Sequence, residues 1–191
     1  MFIQTELTPN PSTLKFLPGR VVMEKGTAFY KSISECTSSP LAQRLFPIEG
    51  VVGVFFGSDF VTITKEEKYD WQVLKPAILS SIMDHFNSGE QIVINNQDDS
   101  NNNDLKASQS NEEDSETVQQ IKELLNTRVR PAVAMDGGDI IFQSYKEGIV
   151  YLHMQGACSG CPSSTATLKM GIENMLKHYV PEVKEVRPVD A

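Results

Sequence analysis

Cysteine is scarce in this chain: 191 residues contain three, Cys36, Cys158 and Cys161. That is too few for a disulfide framework, so a reducing compartment is the expected setting. Long apolar runs are missing too. None approaches the roughly 18 residues that a membrane-spanning helix needs, and no membrane partner is expected. Positive charge is in deficit, with 17 Lys and Arg against 25 Asp and Glu and a formal net charge of −8. A general nucleic-acid binder would show a basic face, so nucleic acid is not expected as a partner. The opening residues MFIQTE carry neither the basic and apolar regions of a secretory signal nor the Arg-rich, acid-poor character of a transit peptide. The sequence therefore reads as cytoplasmic, or as a form already processed.

What is present is a globular composition, 40% hydrophobic and 22% charged, unevenly distributed. Residues 95–114, NNQDDSNNNDLKASQSNEED, hold six acids, one lysine and no aromatic residue, a net charge of −5. Such a stretch buries too little surface to offset the entropy of ordering it. Residues 1–94 sum to −2 and residues 115–191 to −1, so most of the acidity belongs to this segment. As a flexible coil it would span roughly 22–27 Å. The sequence predicts two small α+β domains, 1–94 and 115–191, joined by a disordered tether over 95–114.

The first domain reads as ββαββα. Val21–Met23, Val51–Phe56 and Phe60–Thr64 have strand character, the last two forming a hairpin about Gly57-Ser58-Asp59. A short helix is expected from Pro40 to Phe46. A longer one, capped by Asp70 and ended by Ser88-Gly89, places Val73, Leu74, Ile78, Ile82 and Phe86 on one face, with a kink expected at Pro76. The second domain reads as αββαβ. Val118, Ile121, Leu124, Leu125 and Val129 mark an amphipathic helix opened by a capping box at Thr117-x-x-Gln120. Pro131 should bend or restart it, and Met135–Asp139 should end it in a turn. Strands follow at Ile140–Tyr145 and Ile149–Gln155, then a helix with Leu168, Ile172, Met175, Leu176 and Tyr179, then a strand near Val183–Val189.

The chemistry concentrates at Gly156-Ala-Cys158-Ser-Gly160-Cys161-Pro162-Ser-Ser164. Pro162 suits the first position of a helix, so both sulfurs should lie beside free N–H groups that favour thiolate. Gly156 and Gly160 allow close approach to whatever the sulfurs hold. A C-x-x-C pair can serve as a dithiol oxidoreductase, one cysteine attacking and the other resolving. It can equally ligate zinc or an iron–sulfur cluster, soft-metal sites that want four ligands. Cys36 lies in the other domain, so one chain offers two thiolates and two identical chains offer four. A metal reading therefore calls for a homodimer.

The segment RPAVAMDGGDI…GACSGCPSSTATLKMGIENML resembles the NifU C-terminal-like, or Nfu, domain of iron–sulfur cluster scaffold and carrier proteins. FIQTELTPNPSTLKFLPG and DWQVLKPAILSSIMDHFNSG resemble the N-terminal domain of mitochondrial and α-proteobacterial-type members. The resemblance implies a non-enzymatic carrier of a [4Fe–4S] cluster, bridging a homodimer through Cys158 and Cys161 and passed to apo iron–sulfur clients. Thiolate chemistry alone leaves [2Fe–2S] open. The family further implies an upstream assembly scaffold as donor, recognition of partners by the first domain, and a bacterial cytoplasm or a mitochondrial matrix as the setting. Beside these, Cys36 reads as a small packing residue, and His85, His153 and His178 as packing or surface residues. Met154, Met170 and Met175 read as core filler, and Asp136-Gly137-Gly138-Asp139 as a helix-to-strand turn.

Overall fold

A computed structural model describes residues 2–94, 113–159 and 162–189, with 113–115 and 162–165 described by their backbone alone. The chain divides into two compact units, Met1–Gln97 and Asp98–Ala191, each built of helices and sheet as the sequence predicts. The greater part of the expected tether, residues 95–112, lies outside the described residues.

In the first unit, strands β1 (Gln4–Leu7), β2 (Thr13–Leu17), β3 (Ala28–Tyr30), β4 (Val51–Phe56) and β5 (Val61–Lys65) form an antiparallel sheet in the order β1-β2-β5-β4-β3. The β4–β5 hairpin stands where the sequence places it, closed by Gly57 N–H donating to the Phe60 carbonyl at 2.9 Å. Val21–Met23 is not a strand: Val22 and Met23 N–H both donate to the Ser58 carbonyl, and the sheet is completed instead by β1, β2 and β3, each of five residues or fewer. Lys15, on β2 between β1 and β5, is buried beneath Glu6 at 3.5 Å and lies over the Phe60 ring. Helix α1 (Pro40–Leu45) is capped by Ser39, whose Oγ accepts from Ala42 N–H at 3.1 Å. Helix α2 (Trp71–Ser88) starts where Asp70 accepts from Gln72 N–H at 2.7 Å and ends at Gly89 in the left-handed conformation. It runs unbroken through Pro76. Its buried face is Leu74, Ile78, Ile82 and His85. Val73, expected on that face, is 71% exposed, because the spacing 74-78-82-85 turns it away from the sheet.

The second unit follows αββαβ. Helix α3 (Glu113–Leu124) starts earlier than the sequence predicts and takes up residues 113 and 114 of the expected tether. Thr117 is thus inside the helix rather than its cap, and an acid-rich opening turn suits the positive end of the helix. Ile121, Leu125 and Val129 are buried, with Leu124 packed at the margin. At Leu125–Val129 the helix widens to a π turn, in which Arg130 N–H donates to the Leu125 carbonyl five residues back. Helix α4 (Arg130–Met135) then begins with Pro131 in its first turn. Proline cannot donate in a regular ladder, and the wider turn takes up the break the sequence anticipates.

Strands β6 (Gly138–Lys146), β7 (Ile149–Gly156) and β8 (Glu185–Val189) form a sheet in that order, β6 and β7 antiparallel, β7 and β8 parallel. Glu147 (φ 52°) and Gly148 (φ 85°) make the two-residue hairpin turn, both in the left-handed region that this turn requires. Along β7 burial alternates strictly, sending Val150, Leu152 and Met154 into the core. Helix α5 (Pro162–Tyr179) crosses between β7 and β8 and buries Ile172 and Leu176. Two expected core residues of α5 lie outside it: Met170 is 66% exposed, and Tyr179 is 45% exposed under the Arg128 guanidinium. Val180, just past the helix, completes the buried stripe instead.

The packing of α2 predicts a ranking. Ile78→Ala should lower stability by about 2–5 kcal/mol, as a fully buried aliphatic cut to alanine does. Val73→Ala should stay within about 0.5 kcal/mol. Urea titrations of both variants decide it, and the opposite order would refute this face assignment.

Candidate functional site

The site is built from two backbone turns that touch. The first joins α4 to β6: Asp136 N–H donates to the Val133 carbonyl (3.1 Å) and Gly137 N–H to that of Ala134 (3.0 Å), with Gly137 at φ 84°. The second follows β7: Gly156 sits at φ 63°, and Ser159 N–H donates back to its carbonyl at 3.1 Å. Ala157 N–H donates to the Gly137 carbonyl at 3.1 Å, tying the turns together, and Gly138 pairs with Gly156 in the sheet register.

Cys158 hangs on this junction. Its side chain is 6% exposed and belongs to the hydrophobic core of the unit. A methyl group at Gly138 would lie 2.6 Å from Cys158 Sγ, 2.7 Å from the Gln155 carbonyl oxygen and 3.1 Å from Cys158 N. Glycine is thus required at 138 because sulfur and backbone occupy the space of a side chain. Helix α5 begins at Pro162, four residues on, as expected of a proline at a helix start. Cys161 and Gly160 lie outside the described residues.

Beside the turn stands an ion pair between half-exposed Arg130 and buried Asp139. Arg130 Nε donates to Asp139 Oδ1 and Arg130 Nη2 to Asp139 Oδ2, each at 2.8 Å, and Asp139 Oδ1 also accepts from Ile140 N–H at 2.8 Å. The Asp139 side chain is 4% exposed. Arg130 Nη1 reaches Asn126 Oδ1 on the π turn at 3.1 Å.

The expectation of a thiolate-favouring loop is reversed at Cys158. Burial pushes its thiol up to about 12, and the Asp136 and Asp139 carboxylates add to the shift. The sulfur lies in the core, where desolvation penalises charge more than a nearby helix start can compensate. Cys36 is fully buried in the first unit, its Sγ 3.2 Å from the Ser32 carbonyl, and burial followed by Glu35 pushes its thiol up to about 11. Among the histidines, His85 is buried on α2, His153 lies with Nδ1 3.2 Å from the Val189 carbonyl, and His178 is exposed against Tyr179. Met154 is core as expected. Among the described residues, no three His, Cys, Asp or Glu side chains come together as a metal-holding group. Nor is any helix there long and apolar enough to cross a membrane.

Comparison with known proteins places these two units. Residues 3–89 match the family model for the scaffold protein Nfu/NifU N terminal domain, and residues 121–187 the model for the NifU-like domain. The chain is 55% identical over 188 residues to NifU-like protein 5, mitochondrial, of Arabidopsis thaliana, covering 97% of this chain and 67% of that protein. The chain belongs to the Nfu/NifU-like family. It is 53% identical over 190 residues to the NFU1 iron-sulfur cluster scaffold homolog, mitochondrial, of Drosophila willistoni, covering 99% of this chain and 64% of that protein. It thus spans about two thirds of the length of these curated relatives. A solution NMR structure of a NifU-like protein from Saccharomyces cerevisiae is similar over 49% of this chain and 84% of its own, at 30% identity and a TM-score of 0.45.

In this Nfu/NifU-like chain the turn at 136–139 is more than the plain helix end read from the sequence. Gly138 makes the space for Cys158, and Asp139 anchors Arg130. The available signal was the pair of acids flanking two glycines at the strand start, with an arginine nine residues before the second acid. Gly138→Ala should lower the stability of this unit by about 1–3 kcal/mol, as overpacking does. It should also speed alkylation of Cys158, read by peptide mass spectrometry. A variant that melts and alkylates like the parent would refute the close contact.

Proposed function

We propose that this chain is a non-enzymatic carrier of an iron–sulfur cluster, held as cargo between two copies by Cys158 and Cys161 of each. The observation that supports it most is the position of the C-x-x-C pair inside the stretch matching the NifU-like domain, with Cys158 on a side-chain-poor junction of Gly137, Gly138, Gly156 and Ala157. Two thiolates per chain are half of a cluster's usual ligand set, and a second copy supplies the rest. The donor chemistry fits the cargo: soft sulfur ligands, with glycine backbone beside them where a bulky side chain would block approach. We assign the cluster as [4Fe–4S]; four thiolates would also serve a [2Fe–2S] form.

Cys158 must leave the core and lose its proton to bind, so loading releases protons and uses part of the metal–sulfur bond energy. The same burial argues against Cys158 as the attacking thiol of an oxidoreductase, which needs an accessible thiolate. Cargo shared between chains is open to exchange, because a client's cysteines can replace one pair of ligands at a time. Apo iron–sulfur proteins are the recipients and an upstream assembly scaffold the donor. The first domain, 1–94, recognises these partners across the 95–114 tether and raises their local concentration at the 115–191 cluster domain. The mitochondrial designations of the relatives favour the mitochondrion over a bacterial cytoplasm.

Anaerobic reconstitution tests this. The parent chain should take up about four iron and four sulfide per dimer and shift to dimer on size exclusion. Cys158→Ala and Cys161→Ala should lose both properties, and Cys36→Ala should keep both. A Cys158 variant that held a full cluster as a monomer would overturn the bridging arrangement.

A further inference from the structure

We infer that Arg130 and Asp139 are positioning residues that hold the turn carrying Cys158, an inference that rests on Cys158 being a cluster ligand. The argument begins with where the pair stands. Arg130 opens α4 and Asp139 is the second residue of β6, so the two bracket the turn at Asp136, Gly137 and Gly138. Their double contact at 2.8 Å fixes the distance between helix start and strand start, and therefore the span available to the turn. A bidentate guanidinium–carboxylate pair defines orientation as well as distance, which a single contact would not.

Cys158 is suspended from the bracketed residues. Gly137 accepts from Ala157 N–H, Gly138 lies directly beneath the Cys158 sulfur, and Gly138 pairs with Gly156. A shift of the turn by a few tenths of an ångström would therefore reach the sulfur with no flexible side chain to absorb it. The π turn serves the same end: its hydrogen bond from Arg130 N–H to Leu125 sets the arginine's backbone, and Asn126 on that turn accepts from Nη1.

The pair also has an electrostatic part. Buried Asp139 and exposed Asp136 both stand close enough to Cys158 for their charge to be felt at the sulfur. Two carboxylates beside a site for anionic thiolates are unfavourable unless compensated, and Arg130 compensates the buried one. Removing Arg130 alone would take the guanidinium from a buried carboxylate that stands near the cysteine.

The experiment compares the full-length parent, Arg130→Gln and the double variant Arg130→Gln/Asp139→Asn, the last removing the buried charge together with its guanidinium. Two readouts are taken at a temperature well below the melting transition of each protein. One is the alkylation rate of Cys158 in the cluster-free chain, by peptide mass spectrometry. The other is the rate at which reconstituted protein loses iron to a chelator, followed by the visible spectrum of the cluster. Supports of metal ligands are typically worth 10–100-fold in metal affinity. We expect the double variant to alkylate faster and to lose iron about tenfold faster than the parent, and Arg130→Gln to exceed it in both. A double variant that matched the parent in both readouts would overturn the inference. So would melts showing that neither variant folds, since the pair would then support the fold rather than the ligand. If the parent itself took up no cluster, the carrier reading would fail instead, and the alkylation readout would still show whether the pair positions Cys158.

Discussion

The contact that organises the second unit is the one between the Cys158 sulfur and the backbone at Gly138. A side chain at 138 would have to occupy the place of the sulfur, 2.6 Å away. Gly156, the register partner of Gly138, also lacks a side chain, so the sheet opens on its first rung with two bare backbones facing each other. Into that gap the chain folds its thiol. The consequence is that the proposed ligand is continuous with the hydrophobic core: Cys158 packs in the same cluster as Met154, Val133 and Leu176. Close-packed interiors transmit displacement, so the fold itself meters where the sulfur can go.

On the proposed carrier function, this placement divides the work between two states. With no cargo the sulfur is covered, and a covered neutral thiol resists oxidation and adventitious metal. With the proposed cargo bound, favourable metal–thiolate bonds would offset the cost of bringing it out as an anion. A carrier needs a holding energy large enough to load and small enough to release. Burial of the empty ligand lowers the net holding energy without weakening the metal–sulfur bonds themselves.

Much of this was legible in the sequence where a local rule and tertiary packing agree. Asp70 and Gly89 bound α2, Pro131 marks the break in the first long helix of the second unit, and alternation along β7 gives its buried face. Expectation and structure part where a residue is decided by something distant. Val73 matches the apolar pattern of α2, but the sheet lies on the side chosen by Leu74, Ile78 and Ile82, and buried His85 fills the place a hydrophobe would take. Strands β1 to β3 are only three to five residues long, too short to show a period, and exist because neighbouring strands complete their hydrogen bonds. At the site, C-x-x-C and its helix-opening proline could be read directly. The inward direction of the Cys158 sulfur could not, since it depends on a glycine twenty residues earlier.

The chain offers an internal comparison that shows what identifies a site. Cys36 and Cys158 are both buried, and burial lifts both thiols, to about 11 and about 12. Titration behaviour therefore does not separate a packing cysteine from a proposed ligand here. Their surroundings do. Cys36 lies in a 3₁₀ turn (Ile33–Ser38), its sulfur against the Ser32 carbonyl, within a core of Leu, Val, Ile and Phe side chains. Such a thiol fills volume, and nothing about its backbone is unusual. Cys158 is set between turns built of glycine and alanine, one held at φ 84° and the other at φ 63°, with a bidentate ion pair bracketing the first. The left-handed backbone restricts both positions to glycine, and an ion pair with a buried carboxylate costs free energy to desolvate. Filling a core position with a small side chain requires neither feature, whereas the proposed role, holding a sulfur in one place until cargo draws it out, gives a use for both.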